Sequence, residues 1–461
     1  MTFFLYDSLS KVKKEFIPIN SKNIRVYACG PTVYSYAHIG NARMSVVTDL
    51  LINVLRSKFA NVKFVSNITD VDDKIIEVAK SEKKSIHDIT SKYHKIYNQD
   101  MEMLGVKPPD IQPKATDHIN EMILMIEKLI KNKCAYLSDK NVLFDVSKYK
   151  YYGTLSRRSK TEQIAGSRIE VAKYKKNPED FILWKPSEKN SEPGWESPWG
   201  FGRPGWHIEC SAMSEKCLGI PFDIHCGGVD LTFPHHENEI AQSCSAHKIN
   251  TEPQNFSKYW FHNGFVTVNG EKMSKSIGNI TLVNDLLKKF SGSTIRLSLL
   301  SSHYRQPLDW SEKILEQSHK NIKKFKRILN KFSHSTLEYS ENDPYFNEFL
   351  NDLYDDLNTP KALATINRFL DQCKDGYNET NLVPSINKCF EVLGINLDEF
   401  CDNEVELNED EKKTITALIK ERNKARENKD FEKADKIRET LKEMSIEIED
   451  SSNGTNWKKI D

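Results

Sequence analysis

Apolar residues run almost unbroken through Ile24-Arg25-Val26-Tyr27-Ala28-Cys29 and again from Val62 to Ile68, and between them Ala42 to Phe59 repeats apolar positions at helical spacing. This order of strand, helix and strand predicts a βαβ unit opening a parallel sheet. Phe222-Asp223-Ile224-His225-Cys226 reads as another buried strand, followed by Gly227-Gly228 and a helix beginning near Pro234. A further strand is expected over Tyr259 to Val266. The sheet is therefore split along the sequence. Helical patterns from Ile86 to Leu104 and from His118 to Lys133 fill the interval, together with a turn-rich stretch, Pro186 to Pro204, dense in Pro, Gly and Trp. They read as an insertion whose end feeds back into the core.

From Glu312 the pattern turns helical. Ile314, Leu315, Ser318, Ile322, Phe325, Ile328, Leu329 and Phe332 keep a helical period, with Lys320, Lys323, Lys324, Lys326, Arg327 and Lys331 on the remaining positions, the arrangement of an amphipathic helix with a solvated basic face. An acidic linker, Asp402 to Glu411, precedes two further helices, Lys412 to Lys429 and Phe431 to Met444, and a tail containing Trp457.

Composition narrows the class only a little. The 461 residues hold 66 Lys+Arg and 66 Asp+Glu, so any contact with nucleic acid must come from local patches rather than from net charge. The apolar start, Met1 to Tyr6, is too short for a signal peptide, and no stretch is long enough to span a bilayer. Nine cysteines without regular spacing, in a chain lacking an export signal, point to reduced thiols and metal ligands in a cytosolic protein rather than to a disulfide framework.

Three groups of residues carry chemistry. Lys272-Met273-Ser274-Lys275-Ser276 follows a strand-like run and an Asn269-Gly270 turn, and sets two ammonium groups and two hydroxyls on a short loop suited to gripping a polyphosphate. His38-Ile39-Gly40-Asn41 follows a strand and the Gly30-Pro31 turn and opens a long helix, where an imidazole and the Gly40 backbone face an anion at the helix N-terminus. His235 and Glu239 stand four apart in His235-His236-Glu237-Asn238-Glu239, on one face of a helix. Cys29 ends the first strand and Cys210 lies where the second half of the sheet begins, so both fall near the crevice at the strand C-termini. Two thiolates, an imidazole and a carboxylate suit tetrahedral zinc, although Cys217, Cys226 and Cys244 remain rival thiols at this point.

The paired His38-Ile39-Gly40-Asn41 and Lys272 to Ser276 motifs resemble the signature pair of class I aminoacyl-tRNA synthetases, with Asn41 where a second histidine is common. Ala28 to Tyr34, Asn67 to Lys74, Arg203 to Cys210 and His225 to Leu231 resemble, in order, the blocks of the cysteinyl-tRNA synthetase family. The resemblance covers essentially the whole chain. It implies an α/β fold: a split Rossmann-like catalytic domain (1–112 and 205–270) with a connective insertion (113–204), a signature-loop and stem-contact region (271–312), a helical bundle (313–402) and an anticodon-binding unit (403–461).

It further implies one zinc ion held by Cys29, Cys210, His235 and Glu239, and a pocket for the amino acid and adenylate lined by Thr69, Trp206, His225 and Asp230. ATP, with Mg²⁺, would meet His38, Gly40, Asn41, Lys272, Met273, Ser274, Lys275 and Ser276, of which His38, Asn41, Lys272 and Lys275 act on the phosphates. Arg426, Phe431, Asp435 and Trp457 would meet the tRNA, with Trp457 either stacking on RNA or pinning the tail. The implied activity is activation of L-cysteine and its transfer to tRNA(Cys) by a cytoplasmic monomer. A ligase passing cysteine to a small amine and a non-catalytic zinc and tRNA-binding protein are the alternatives; the region beyond Asp402 weighs against the first, and the paired phosphate grips against the second.

Overall fold

In the computed structural model the described residues are 1–158, 173–247, 252–273, 278–332, 343–374, 379–398, 409–428, 430–444, 446–451 and 454–459. Ser274, Lys275 and Ser276 lie outside them, as does the 402/403 boundary. The chain forms two compact units, Met1–Glu399 and Phe400–Asp461.

The centre of the first unit is a parallel sheet of four strands in the order Ser257–Asn263, Phe222–Gly228, Ile24–Ala28, Val62–Ser66. Val26 lies opposite both Ile224 and Phe64, and Tyr27 opposite His225 and Val65, which brings the ends of strands nearly 200 residues apart to one edge. These strands are buried on both faces, as the near-continuous apolar runs require. Two expected strands are shorter than their apolar runs. Val62 to Ile68 stops at Ser66, and Tyr259 to Val266 divides into Ser257–Asn263 and Val266–Val268. The break falls at Gly264, where a Cβ would lie 2.6 Å from the carbonyl oxygen of Gln306.

The first helix, Ile39–Lys58, crosses between the first two strands and is buried through its middle. Two of its polar side chains tie it down. Arg43, fully buried, donates to the carbonyls of Gly264, Phe265 and Gln306. Asp49 pairs with Arg296 of the helix Gly292–Leu300 at 2.5 Å and also accepts from Lys107 N. Arg296 further donates to the carbonyls of Leu104, at the end of the helix Ile86–Met103, and Leu393, at the end of the helix Glu379–Leu393. One guanidinium thus closes two helix C-termini and neutralises one buried carboxylate. Gly394, at φ +67°, passes so close that a Cβ there would sit 2.4 Å from the Arg296 Cζ. The helices Glu312–Asn330, Pro344–Tyr354 and Thr359–Lys374 belong to the same unit.

The insertion holds more regular structure than its turn-rich composition suggests. Ala135–Ser138, Asn141–Phe144, Phe181–Pro186 and Gly202–Pro204 form an antiparallel sheet, so the Pro186 to Pro204 stretch is a connection between two paired strands. Its end is clamped to the core: Arg203 donates to Asp73 (2.8 Å), Glu192 (3.0 Å) and Ser187 (2.7 Å).

The second unit pairs the helices Glu409–Glu427 and Phe431–Glu443 and adds a hairpin, Ile446–Ser451 with Gly454–Lys459, where only a tail was expected. Trp457 stands opposite Ile448 and packs on the small core of Ile415, Ile419, Ile437, Leu441 and Ile446. No helix among the described residues is long and apolar enough to cross a membrane.

Arg296→Ala should cost about 3–5 kcal/mol, because it strands a buried carboxylate as well as two carbonyls. Urea denaturation of the variant will show this, and the double change Asp49→Ala, Arg296→Ala should recover part of the loss.

Candidate active site and metal centre

The sheet's C-terminal edge gathers the donor atoms. Cys29 follows the strand Ile24–Ala28; Cys210 lies on the helix Trp206–Leu218; His235 and Glu239 come from the turn and helix after Phe222–Gly228. The α-helix begins at Glu237 rather than near Pro234, because Phe233 is extended (φ −142°, ψ 133°) and Thr232–His236 forms a wide π-type turn. The i,i+4 pairing survives this: His235 Nε2 lies 3.0 Å from Glu239 Oε1.

All four side chains are essentially fully buried. Cys29 Sγ is 3.5 Å from His235 Nε2 and 3.3 Å from Glu239 Oε1, and the four donor atoms lie within 4.8 Å of one another. Zinc bonds of about 2.0–2.3 Å in a tetrahedron imply donor–donor edges of roughly 3.3–3.8 Å, so the arrangement fits that ion with little adjustment. Cys29, His225, His236 and Glu239 form a second, overlapping set. In it His225 Nε2 is already engaged with Glu239 Oε2 at 2.9 Å, and His236 Nδ1 with His262 Nε2 at 2.8 Å.

The electrostatics follow from burial and proximity. Desolvation opposes both charges of the His235–Glu239 pair, yet Glu239, helped by Cys210, raises His235 to about 10, while His225 and His235 hold Glu239 well below the usual carboxylate range. The hydrogen bond from the Cys29 thiol is the largest influence drawing Cys210 down to about 6; burial, then Cys210 and Glu239, push Cys29 well up. The cluster is therefore an imidazolium–carboxylate pair beside a Cys29 thiol that donates to the more acidic Cys210 sulfur. A dication replacing those protons satisfies every donor at once.

Around this centre Trp206 stacks on His235 with ring centroids 4.2 Å apart and remains 37% exposed, so its outer edge meets solvent. Thr69 donates to Glu209 at 3.2 Å on the inner side. Asp230 sits farther out, exposed on the turn Val229–Leu231, its Oδ1 2.5 Å from where a Cβ on Gly228 would be. The rival thiols are elsewhere in the packing: Cys226 is buried within a strand, Cys244 contacts Glu252 O, and Cys217 is half-buried.

Of the second signature motif, Met273 reaches the first. His38 is the N-cap of the first helix: its Nδ1 accepts from Gly40 N (3.1 Å) and Asn41 N (3.4 Å), and Asn41 Oδ1 accepts from His38 N (3.1 Å). A Cβ on Gly40 would lie 3.3 Å from Met273 Cε. Backbone bonds Ile39 N to Thr281 O and Val283 N to Ala37 O, both 2.9 Å, stitch the helix entry to the segment just after the Lys272 loop. Lys272 itself is in a short strand opposite Thr267.

Composition and spacing gave no hint of several supporting residues. Glu237 accepts from Gly153 N and Ser156 N, both 2.9 Å, fastening the insertion to the ligand-bearing turn. His207 Nδ1 meets His235 Nδ1 at 3.0 Å. Their only signal was dense packing of polar residue types inside blocks otherwise destined for burial. In the second unit Arg426 and Asp435 are exposed and Phe431 is 63% exposed, a large aromatic presented to solvent at a helix start.

Residues 15–320 match the family described as tRNA synthetases class I (C) catalytic domain, and residues 408–457 match the cysteinyl-tRNA ligase anticodon binding domain. A cysteine–tRNA ligase of Maricaulis maris is 46% identical over 99% of this chain and 99% of its own length, and one from Xanthomonas oryzae pv. oryzae is 45% identical over 100% and 99%. The chain belongs to the cysteine–tRNA ligase family. The class I fold extends beyond close relatives of the family: Mycobacterium tuberculosis methionyl-tRNA synthetase in complex with methionyl-adenylate superposes with a TM-score of 0.56 over 81% of this chain and 89% of that one, at 15% identity. The split parallel sheet expected from the apolar pattern is therefore that of the class I synthetases.

The cap geometry carries a test. Asn41→Ala removes the acceptor for His38 N in the capping box and should cost about 0.5–1.5 kcal/mol in thermal or urea unfolding, whereas Asn41→Asp, which keeps the acceptor, should stay near the parent.

Proposed function

We propose that this chain is a cysteine–tRNA ligase that activates L-cysteine with ATP and transfers it to tRNA(Cys), selecting the amino acid through a zinc ion held by Cys29, Cys210, His235 and Glu239. The buried donor cluster at the sheet edge, beside the Gly40–Met273 contact, is the observation that carries this reading.

In the first step a carboxylate oxygen of cysteine attacks the α-phosphorus of ATP, the bond to the bridging oxygen of the β-phosphate breaks, and pyrophosphate leaves with the electron pair. His38 and the Asn41 amide nitrogen face the phosphates at the helix N-terminus, and Lys272 and Lys275 neutralise charge that grows on the leaving group. Gly40 keeps the approach clear. In the second step a ribose hydroxyl of the terminal adenosine of the tRNA attacks the acyl carbon and AMP departs. Both steps need positioning and charge stabilisation, not a covalent protein nucleophile.

Selectivity against serine rests on the metal centre. An apolar pocket discriminates against an added hydroxyl only about 10²-fold. When bound, zinc supplies a borderline-soft Lewis acid that takes a thiolate far more readily than an alcohol. The protein's part is to hold the donors: His225 fixes one oxygen of Glu239 so that the other faces Cys29 and His235, and Trp206 walls the site on its open side. Thr69 and Asp230 would orient the amino acid and the adenylate. Mg²⁺ accompanies ATP.

Arg426, Phe431 and Asp435 would meet the anticodon, with Phe431 as the stacking platform. Trp457, packed on the small core, holds the hairpin that frames them. The match of residues 408–457 to an anticodon-binding family favours tRNA over a small amine as acceptor. The reading makes the chain a cytoplasmic monomer.

Cysteine-dependent ATP–pyrophosphate exchange should proceed without tRNA, with serine inactive, and charging of tRNA(Cys) should follow; exchange without charging would favour the amine-acceptor ligase, and absence of both in zinc-loaded protein would overturn the enzyme reading. Cys210→Ser should lower zinc content and raise the KM for cysteine before that for ATP. Phe431→Ala should weaken tRNA binding by about 1–3 kcal/mol if a base stacks there, leaving pyrophosphate exchange at the parent rate.

A further inference from the structure

Asn67 has no part in the scheme above, yet it is the most heavily used polar side chain beside the metal centre. It follows the strand Val62–Ser66 and is fully buried. Its amide oxygen faces three donors: Gly30 N–H at 2.9 Å, the Tyr27 hydroxyl at 3.1 Å and the Cys210 thiol at 3.6 Å. Its amide nitrogen donates to Thr69 Oγ1 at 3.3 Å, and Thr69 in turn donates to Glu209.

The backbone around it is equally constrained. Gly30, directly after Cys29, passes so close that a Cβ there would be 1.6 Å from the Asn67 carbonyl oxygen. Thr69 N donates to Pro31 O at 3.1 Å and Val33 N to Thr69 O at 3.2 Å, so the two loops run as a paired ribbon past the crevice. A carbonyl oxygen has two lone pairs. The Gly30 N–H and the Tyr27 hydroxyl fill them, and the weak thiol donor is left to turn to a ligand without orphaning any group.

We propose that Asn67 is a positioning residue of the metal centre: its amide oxygen accepts from Gly30 N–H and so fixes the backbone that carries Cys29, while the Cys210 sulfur packs 3.6 Å from the same oxygen. This rests on the zinc reading given above. Supporting residues of this kind are worth about 10–100-fold in metal affinity. Asn67 adjoins two cysteines that lie on opposite sides of the insertion in sequence, each on a different element.

The test uses the full-length chain with zinc affinity measured against a competing chelator, and the absorption of the cobalt-substituted protein as a second readout. Asn67→Leu and Asn67→Ser should each weaken zinc about 10–100-fold, shift the thiolate-to-cobalt absorption and raise the KM for cysteine while leaving that for ATP unchanged. Asn67→Asp, which keeps the acceptor oxygen, should restore most of the affinity. If Asn67→Leu fails to fold, Asn67→Ser carries the test, because the smaller side chain leaves room for a water to satisfy Gly30 and Tyr27 without holding the Cys29 backbone in its parent position. Wild-type affinity and an unchanged cobalt spectrum in Asn67→Ser, or a loss in Asn67→Asp as large as in Asn67→Leu, would overturn this inference alone. Failure of the unsubstituted chain to bind zinc would instead sink the metal reading, and this inference with it.

Discussion

Two thiols, an imidazole and a carboxylate buried within 4.8 Å of one another form an arrangement that folding alone does not favour. Each donor loses its hydration, and charges taken out of water must be paired closely to be tolerated. The protein meets this constraint with a dense surround: His225 on Glu239, His207 on His235, Asn67 on Cys210. Much of the first unit is arranged to keep that surround in place, from the ribbon at Gly30–Thr69 to the Glu237 anchor of the insertion.

The entry to the first helix obeys a different logic. His38 and Asn41 use half of their polar atoms to cap a helix, so the same residues that would greet a phosphate also define where the helix starts. Because the cap is complete without any ligand, the helix entry is set in advance, and binding energy of a ligand there need not be diverted to ordering it. Arg43 and Asp49 then fasten the helix body from within, and the N-terminus stays half-buried while the last turn, Arg56 to Lys58, is exposed.

The apolar pattern was enough to place the parallel sheet and the first helix, because strands buried on both faces and a helix buried along its length leave unambiguous runs. It was less informative for the insertion. There the strands are three to six residues long, and the last two are joined by a stretch rich in Pro, Gly and Trp, so the turn chemistry outweighs a short strand signal. The C-terminal hairpin escaped for a related reason: apolar and charged residues alternate only over Ile446 to Glu449 and not in Gly454–Lys459, and the strand that holds it in register depends on Trp457 packing against helices elsewhere in the unit. The four donor residues were nameable by spacing and resemblance. Their supporting residues were not, since nothing in an isolated Asn, Glu or His says which backbone it will hold once strands nearly 200 residues apart are side by side.

Cys29 and Glu239, whose side chains meet at 3.3 Å, are separated by 210 positions. A ribosome adding about 5–20 residues per second would take roughly 10–40 s to deliver the second after the first. During that interval the nascent chain exposes a thiol that has neither its partners nor its shelter from oxidants. Completion of the sheet edge is therefore also a chemical safeguard, closing the period in which the Cys29 thiol stands open to solvent.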